Sequence, residues 1–121
     1  MPLIEQGFTL LEEAVIAAIC EKHPADRTAL EAQFSTAIVS TRENTGAGFC
    51  TYFNIDREST PGIEGARLRN GPEVRVGALQ HGMGFILWLE DGYASCLEGY
   101  TYGENTAAVD LLAAEFEIVR S

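Results

Sequence analysis

"FILWLEDGYASCLEGY", Phe85 to Tyr100, is the stretch that decides the fold. Asp91-Gly92 lies between two extended, largely apolar runs. A type I′ turn needs positive φ at both central positions, and Asp-Gly supplies them at small cost. A two-residue loop also fixes the register of the hairpin it closes. Carried outward without interruption, that register sets Glu90 against Tyr93, Trp88 against Ser95, Ile86 against Leu97 and Phe85 against Glu98. One face then carries Ile86, Trp88, Tyr93 and Leu97; the other carries Phe85, Leu87, Leu89, Ala94, Cys96, Glu98 and Tyr100. Both faces are largely apolar. The hairpin is therefore expected at the centre of a sheet, with helices over one face and a second cover, such as another copy of the chain, over the other.

The first of these runs opens with Gly-x-Gly-Phe, "HGMGF", His81 to Phe85, and an earlier stretch, "TGAGF", Thr45 to Phe49, echoes it. A dinucleotide-binding loop would need a third glycine three residues further on, followed by a helix. Thr51 and Leu87 stand at those places, extended runs follow, and the lysine of a phosphate-cradling P-loop is absent. The structural reading is better. Glycines at the start of a strand permit positive φ, a bulge or close approach of a neighbouring backbone. Two such starts let Phe49 and Phe85 tuck into one core as equivalent, pseudo-repeated strands.

Outward from this centre, Thr9 and Glu12 form a Ser/Thr-x-x-Glu capping box. Leu11, Val15, Ala18 and Ile19 then recur at helical spacing, with Glu12, Glu13 and Glu21 off that stripe, and His23-Pro24 ends the helix. A second helix begins near Asp26 and carries Leu30 and Phe34. The β-branched alternation in "TAIVSTRE" favours a strand over a prolonged helix. "NTGAG" reads as a turn and "FCTYFNI" as the returning strand. The Gly- and Pro-rich segment 56–73 is loop with one short strand near 66–69, and "VRVGALQ" is a further strand. Asn105 or Thr106 caps a short helix to about Ala113, and "EFEIV" closes the chain as a strand. The expectation is an α+β domain spanning 1–121: a helical pair over about 9–34 packed on an antiparallel sheet of about five strands over about 37–120, with a short C-terminal helix and a final strand.

Composition narrows the functional classes. With 8 Lys+Arg against 18 Asp+Glu, the formal net charge is −10 over 121 residues. Such a field repels phosphate backbones and disfavours nucleic acid, while it suits a basic partner or plain solubility. Cys20, Cys50 and Cys96 are odd in number, widely spaced and set among apolar neighbours, without a Cys-x-x-Cys pair. They read as buried, inert thiols of a reducing compartment.

Three blocks carry a resemblance: "RENTGAGF" (Arg42 to Phe49), "HGMGF" (His81 to Phe85) and "EDGYASCLEGYTYGE" (Glu90 to Glu104). With these the chain resembles a group of small bacterial proteins of uncharacterised activity, and "LEGYTYG" is the most distinctive piece. In size, acidity and its Gly…Leu-Glu-aromatic strand ending it is loosely similar to immunity proteins of bacterial toxin systems, which implies binding to a protein partner. Asn105-Thr106 stands where a tryptophan-proline pair follows "TYGE" in that similarity. "GFTLLE", Gly7 to Glu12, resembles the processing site of type IV prepilins. The flanks differ: no Lys or Arg precedes it, and Glu13 interrupts an apolar run about half the twenty residues of a membrane span. Without a leader or span, a cytoplasmic location is expected.

Glu98 invites chemistry, because a carboxylate opposite Phe85 on an apolar face has a raised pKa and can act as acid, base or ligand. Tyr100 follows at strand spacing, as does Tyr102 if the strand continues. Arg42 and His81 precede the two Gly-x-Gly-Phe copies at strand edges, from which they could converge on Glu98. Arg42, His81, Glu98, Tyr100 and Tyr102 are thus the candidate ligand-binding residues, and no catalytic residue is assigned. The competing reading is structural: Glu98 at the sheet rim, paired with Arg42 or capping a turn, and tyrosines with core rings and wet hydroxyls. His23 and His81 offer no local ligand pair, so neither a metal nor a cofactor is expected. Ser95, His81 and Asp91 compose a triad on paper, but Ser95 sits mid-strand rather than on a nucleophile elbow. The weight falls on a non-enzymatic cytoplasmic binding protein, a homodimer or the holder of a basic protein partner, with no nucleic acid and no membrane. The alternative is a small-ligand-binding protein or enzyme built around Arg42, His81, Glu98 and Tyr100.

Overall fold

The computed structural model describes residues 3–65, 67–77, 79–111 and 115–119. A 3-10 turn, Leu3–Gln6, leads into helix α1, Leu10–Lys22. Its capping box is complete: Thr9 Oγ1 accepts from the Glu12 amide at 3.1 Å, and Glu12 Oε1 accepts from the Thr9 amide at 2.8 Å. Leu11, Val15, Ile16 and Ile19 are buried along one side, and the His23 amide closes the last turn on the Ile19 carbonyl just before Pro24. "GFTLLE" therefore supplies the N-cap and first turn of a 13-residue helix with one buried side. Among the described residues no helix is long and apolar enough to cross a membrane. Helix α2, Arg27–Thr36, buries Leu30, Gln33 and Phe34, and stops where the β-branched run begins.

Seven strands follow among the described residues: β1 Ile38–Asn44, β2 Gly48–Asn54, β3 Leu68–Asn70, β4 Glu73–Val76, β5 Met83–Glu90, β6 Tyr93–Thr101 and β7 Phe116–Val119. They form one antiparallel sheet in the order β1-β2-β6-β5-β4-β7, with β3 also paired to β5. The hairpin β5–β6 is central, as its two-sided apolar pattern requires. The strand number exceeds the expected five partly because β3 and β4 line the same side of β5 in succession. They part at Gly71-Pro72, where proline has no N–H for the ladder. The expected C-terminal helix is not formed over the described residues 105–111, which are turn and irregular chain; 112 and 113 lie outside the described residues. Thr106 does not cap a helix there. Its hydroxyl accepts from the Gly48 amide at 2.9 Å and bonds Asn44, and its carbonyl accepts from Asn44 Nδ2. The segment is thereby stitched to the β1–β2 turn.

Asp91 (φ 53°) and Gly92 (φ 87°) make the positive-φ turn that the sequence demands. Glu90 faces Tyr93 and Leu89 faces Ala94, but Trp88 then faces Cys96. Ser95 is an extra residue, a β-bulge, and every pair beyond it is displaced by one from the uninterrupted register: Ile86 faces Glu98 and Phe85 faces Gly99. Leu97 thereby turns into the core and is fully buried, while Cys96, Glu98 and Tyr100 share the opposite face with Trp88 and Ile86. The cause is energetic. The uninterrupted register would press an unpaired carboxylate against Phe85, at a cost of several kcal/mol; the bulge puts Gly99 there instead. A second irregularity, between Val39 and Thr41, similarly kinks β1.

Both helices cover the inner face of the sheet, where Phe53, Val74, Val76, Met83, Leu87 and Leu97 are buried against α1 and α2. The repeated Gly-x-Gly-Phe finds its meaning across the three central strands. Gly99 lies between Phe49 of β2 and Phe85 of β5, whose rings meet edge to face at 6.0 Å. One step along, Tyr100 lies between Gly48 and Gly84, and its ring occupies the space that a side chain on Gly84 would need. The two copies flank β6 at the same height, a phenylalanine pair closing over one side and a tyrosine over the other.

Gln33 of α2 anchors the hairpin turn from within. Its amide donates to Pro61 O at 2.8 Å and Gly92 O at 3.1 Å and accepts from the Ala94 amide at 2.9 Å, with no solvent exposure. Gln33→Leu leaves the buried Ala94 N–H without its partner and removes the donor to the Pro61 carbonyl. We expect a loss of about 2 kcal/mol in urea unfolding, from 1–3 kcal/mol for one orphaned buried group; an unchanged midpoint would contradict this role.

Candidate functional site

The sheet has one face under the helices and one face that neither helix covers. The uncovered face is built by the parity of the strands. From β2 it takes Cys50 and Tyr52, from β5 Ile86 and Trp88, and from β6, past the bulge, Cys96, Glu98 and Tyr100. Tyr52 and Trp88 are 39% and 38% exposed, unusual for large rings on central strands. Trp88 Nε1 donates to Glu98 Oε1 at 2.9 Å. Tyr100 and Tyr102 stack edge to face at 5.7 Å, and the Tyr102 hydroxyl donates to Glu73. That bond to a carboxylate, followed by burial and the nearby charge, pushes the Tyr102 phenol well above its usual range. Between Tyr52, Asn54, Glu90, Ser95 and Cys96 lies a cleft of 330 Å³.

Charge on this face is predominantly acidic. Glu43, Glu73, Glu90, Glu98 and Glu117 project from it, with Arg75 opposite Glu117. The register of β2 against β6 makes Cys50 and Cys96 diagonal neighbours on this face, with Tyr52 directly across from Cys96. Burial, and after it the neighbouring Cys50, push the Cys96 thiol up to about 12. Burial, then the Glu98 charge, raise Cys50 too. Both are protonated at neutral pH. Cys20, by contrast, lies within α1, and burial first, then Glu31, raise it to about 11.

The residues singled out by sequence do not converge. Glu98, Tyr100 and Tyr102 lie on or beside the outer face. Arg42 faces the other way, because its partner across the strands is Thr51, which is fully buried beneath α1. There Arg42 donates to Glu12 from Nε at 3.1 Å and from Nη2 at 2.5 Å, and Nη2 also reaches the Gly7 carbonyl. The sheet thus separates Arg42 from Glu98, and the pairing of those two does not occur. His81 sits at the turn before β5, its amide donating to Glu104 Oε1 at 2.8 Å alongside the Gln80 amide at 3.0 Å. These two backbone donors hold the Glu104 carboxyl below the usual range. Nor do Ser95, His81 and Asp91 assemble. Ser95 Oγ donates to the Trp88 carbonyl at 3.4 Å, and Asp91 pairs with Arg57 at 3.5 Å.

Sequence reasoning missed two features. Glu12 belongs to the core: it is fully buried, and it accepts from Thr9, Arg42 and the Thr51 hydroxyl. Its i+3 place in the capping box was legible; its partner 30 residues away was not. The second is the meeting of Cys50 and Cys96, which depends on the register of β2 against β6. Among the described residues no group of three or more His, Cys, Asp and Glu could hold a metal ion. No protein-family model, no curated protein and no solved structure matches this chain.

Proposed function

We propose that this protein works by binding rather than catalysis, and that the uncovered sheet face takes a basic protein partner. The observation that carries this reading is the pairing of exposed aromatic rings with a carboxylate-dominated surround on one open sheet face. Tyrosine and tryptophan give large contact area at small entropic cost, and acidic surroundings steer a cationic surface toward them. Self-association through the same face is the weaker reading. It would set Glu43, Glu73, Glu90 and Glu98 of one copy against the same carboxylates of another, and like-charge juxtaposition costs several kcal/mol. The loose similarity to immunity proteins supports the same class of role. Glu98, held by the Trp88 indole, is the residue around which an arginine of the partner would pack.

The test compares wild type with the double variant Tyr52→Ala, Trp88→Ala in capture from cell lysate. Binding is then remeasured with the purified partner. A protein of basic isoelectric point is expected, bound about 30-fold more weakly by the variant for a hot-spot contribution of about 2 kcal/mol. Affinity should also fall with salt. A partner that binds both forms equally, or an acidic one, overturns the reading. A stable dimer by light scattering that the variant abolishes, with no partner recovered, replaces it with self-association.

A further inference from the structure

Cys50 and Cys96 are remote in sequence, yet β2 and β6 bring them together on the open face. Cys50 stands opposite Glu98 and Cys96 opposite Tyr52, so the cysteines are diagonal neighbours on one face, one step out of line. A pair of neighbouring thiols can react jointly in two ways. It can close on itself as a disulfide, or close on a thiophilic ion held between the sulfurs.

The diagonal decides between them. Diagonal neighbours in an antiparallel pair have Cα atoms about 7–8 Å apart, whereas a disulfide spans about 4.4–6.8 Å. Bridging would require β2 and β6 to shear past one another. That shear is resisted on both sides, because β6 is held between β2 and β5 and Gly99 is locked between Phe49 and Phe85. An ion between the sulfurs, with metal–sulfur bonds of about 2.3 Å, holds them well beyond the roughly 2 Å of an S–S bond and suits the diagonal. Thiolate donors select soft cations. Zinc is a poor occupant, since it takes four ligands and no third His, Cys, Asp or Glu completes a site among the described residues.

We propose that Cys50 and Cys96 form a two-coordinate site for a soft monovalent cation, with copper(I) as the ion whose chemistry fits. Binding forms two copper–sulfur bonds and releases both thiol protons to solvent. The metal enters and stays as copper(I), so no electron is exchanged and no oxidant is needed. The site is independent of the docking reading and stands whether or not a protein partner covers the face.

Trp88, the chain's sole tryptophan, faces Cys96 across β5 and β6 and reports on the site. The experiment is an anaerobic titration of the full chain with copper(I), added as its acetonitrile complex against a chromogenic copper(I) chelator. One copper per chain is expected, with near-ultraviolet thiolate-to-copper absorption and quenched Trp88 emission. Cys50→Ser and Cys96→Ser should each weaken binding by about 100-fold or more, since even residues outside a ligand set cost 10–100-fold. Cys20→Ser should bind as wild type does. X-ray absorption on copper-loaded wild type should find two sulfur scatterers, a readout that holds even if a serine variant fails to fold. Absence of binding, retention of affinity in both serine variants that fold, or a first shell without two sulfurs overturns the proposal. Rapid formation of an intrachain Cys50–Cys96 disulfide under mild diamide treatment overturns its geometric basis.

Discussion

Arg42→Met is expected to cost about 3–5 kcal/mol of folding free energy, the loss seen when one partner of a buried ion pair is removed. Glu12 has no solvent exposure, and Arg42 carries the positive charge that faces it through two hydrogen bonds. Thr9 and Thr51 satisfy further lone pairs but bring no charge. Methionine keeps the length and the apolar stem of arginine, so the variant isolates the loss of the guanidinium. Because the Arg42 side chain is 24% exposed, water can enter the vacated space, and the lower end of the range applies. At roughly 4 °C per kcal/mol for a domain of this size, the melting temperature should fall by more than 10 °C. The companion variant Glu12→Gln in the Arg42→Met background removes the stranded charge and should recover part of the loss in a double-mutant cycle. A single Arg42→Met variant within 1 kcal/mol of wild type would show that the pair holds nothing together.

Gly48→Ala is expected to be as damaging, at about 4 kcal/mol, for a reason that resides entirely in the backbone. Gly48 has φ +137°, and a methyl group there would lie inside the Gly99 carbonyl of the adjoining strand. Backbone strain of about 1–3 kcal/mol and overpacking of a similar size combine. Neither can relax, because β6 is fixed on its other side by β5. Gly46, two residues earlier in the same motif, is the natural control. It too has positive φ (+84°), but nothing lies within 4 Å of an added Cβ. Gly46→Ala should therefore cost only the conformational strain, about 1–2 kcal/mol. Denaturant midpoints for the two variants check the ordering. Equal losses would mean that close approach to β6 is not what the second glycine serves.

The features legible in the sequence were those whose cause is local. Thr9 and Glu12 lie within one turn of each other, and Asp91-Gly92 carries its own turn geometry; both form as read. Phe49 and Phe85 meet in one core as the repeated motif suggested. What escaped depends on partners distant in the chain. The bulge at Ser95 exists because Leu97 fits the core and Glu98 does not, a choice invisible while the ladder is assumed unbroken. Thr106 has the look of a helix cap, but Asn44 and Gly48, some 60 positions away, claim its hydroxyl and carbonyl. The candidate site suffered the same fate. With the strand parity reversed past Ser95 and β1 kinked between Val39 and Thr41, Glu98 turns outward and Arg42 inward. Tyr100 and Tyr102 were placed together, yet neither Cys50 nor Cys96 stood out until the register joined them.

The kink in β1 has a bearing on solubility. Open sheets invite neighbours to add strands at their margins, and a straight, unpaired margin is a template for ribbon growth. Here one margin is β1, bent near Ser40 and bearing Arg42 and Glu43, and the other is made of the short β3 and of β7, whose described residues Phe116–Val119 include Glu117. Both discourage lateral polymerisation. A protein with bare aromatic rings can thus remain dispersed, its stickiness confined to the broad surface while its flanks stay inert.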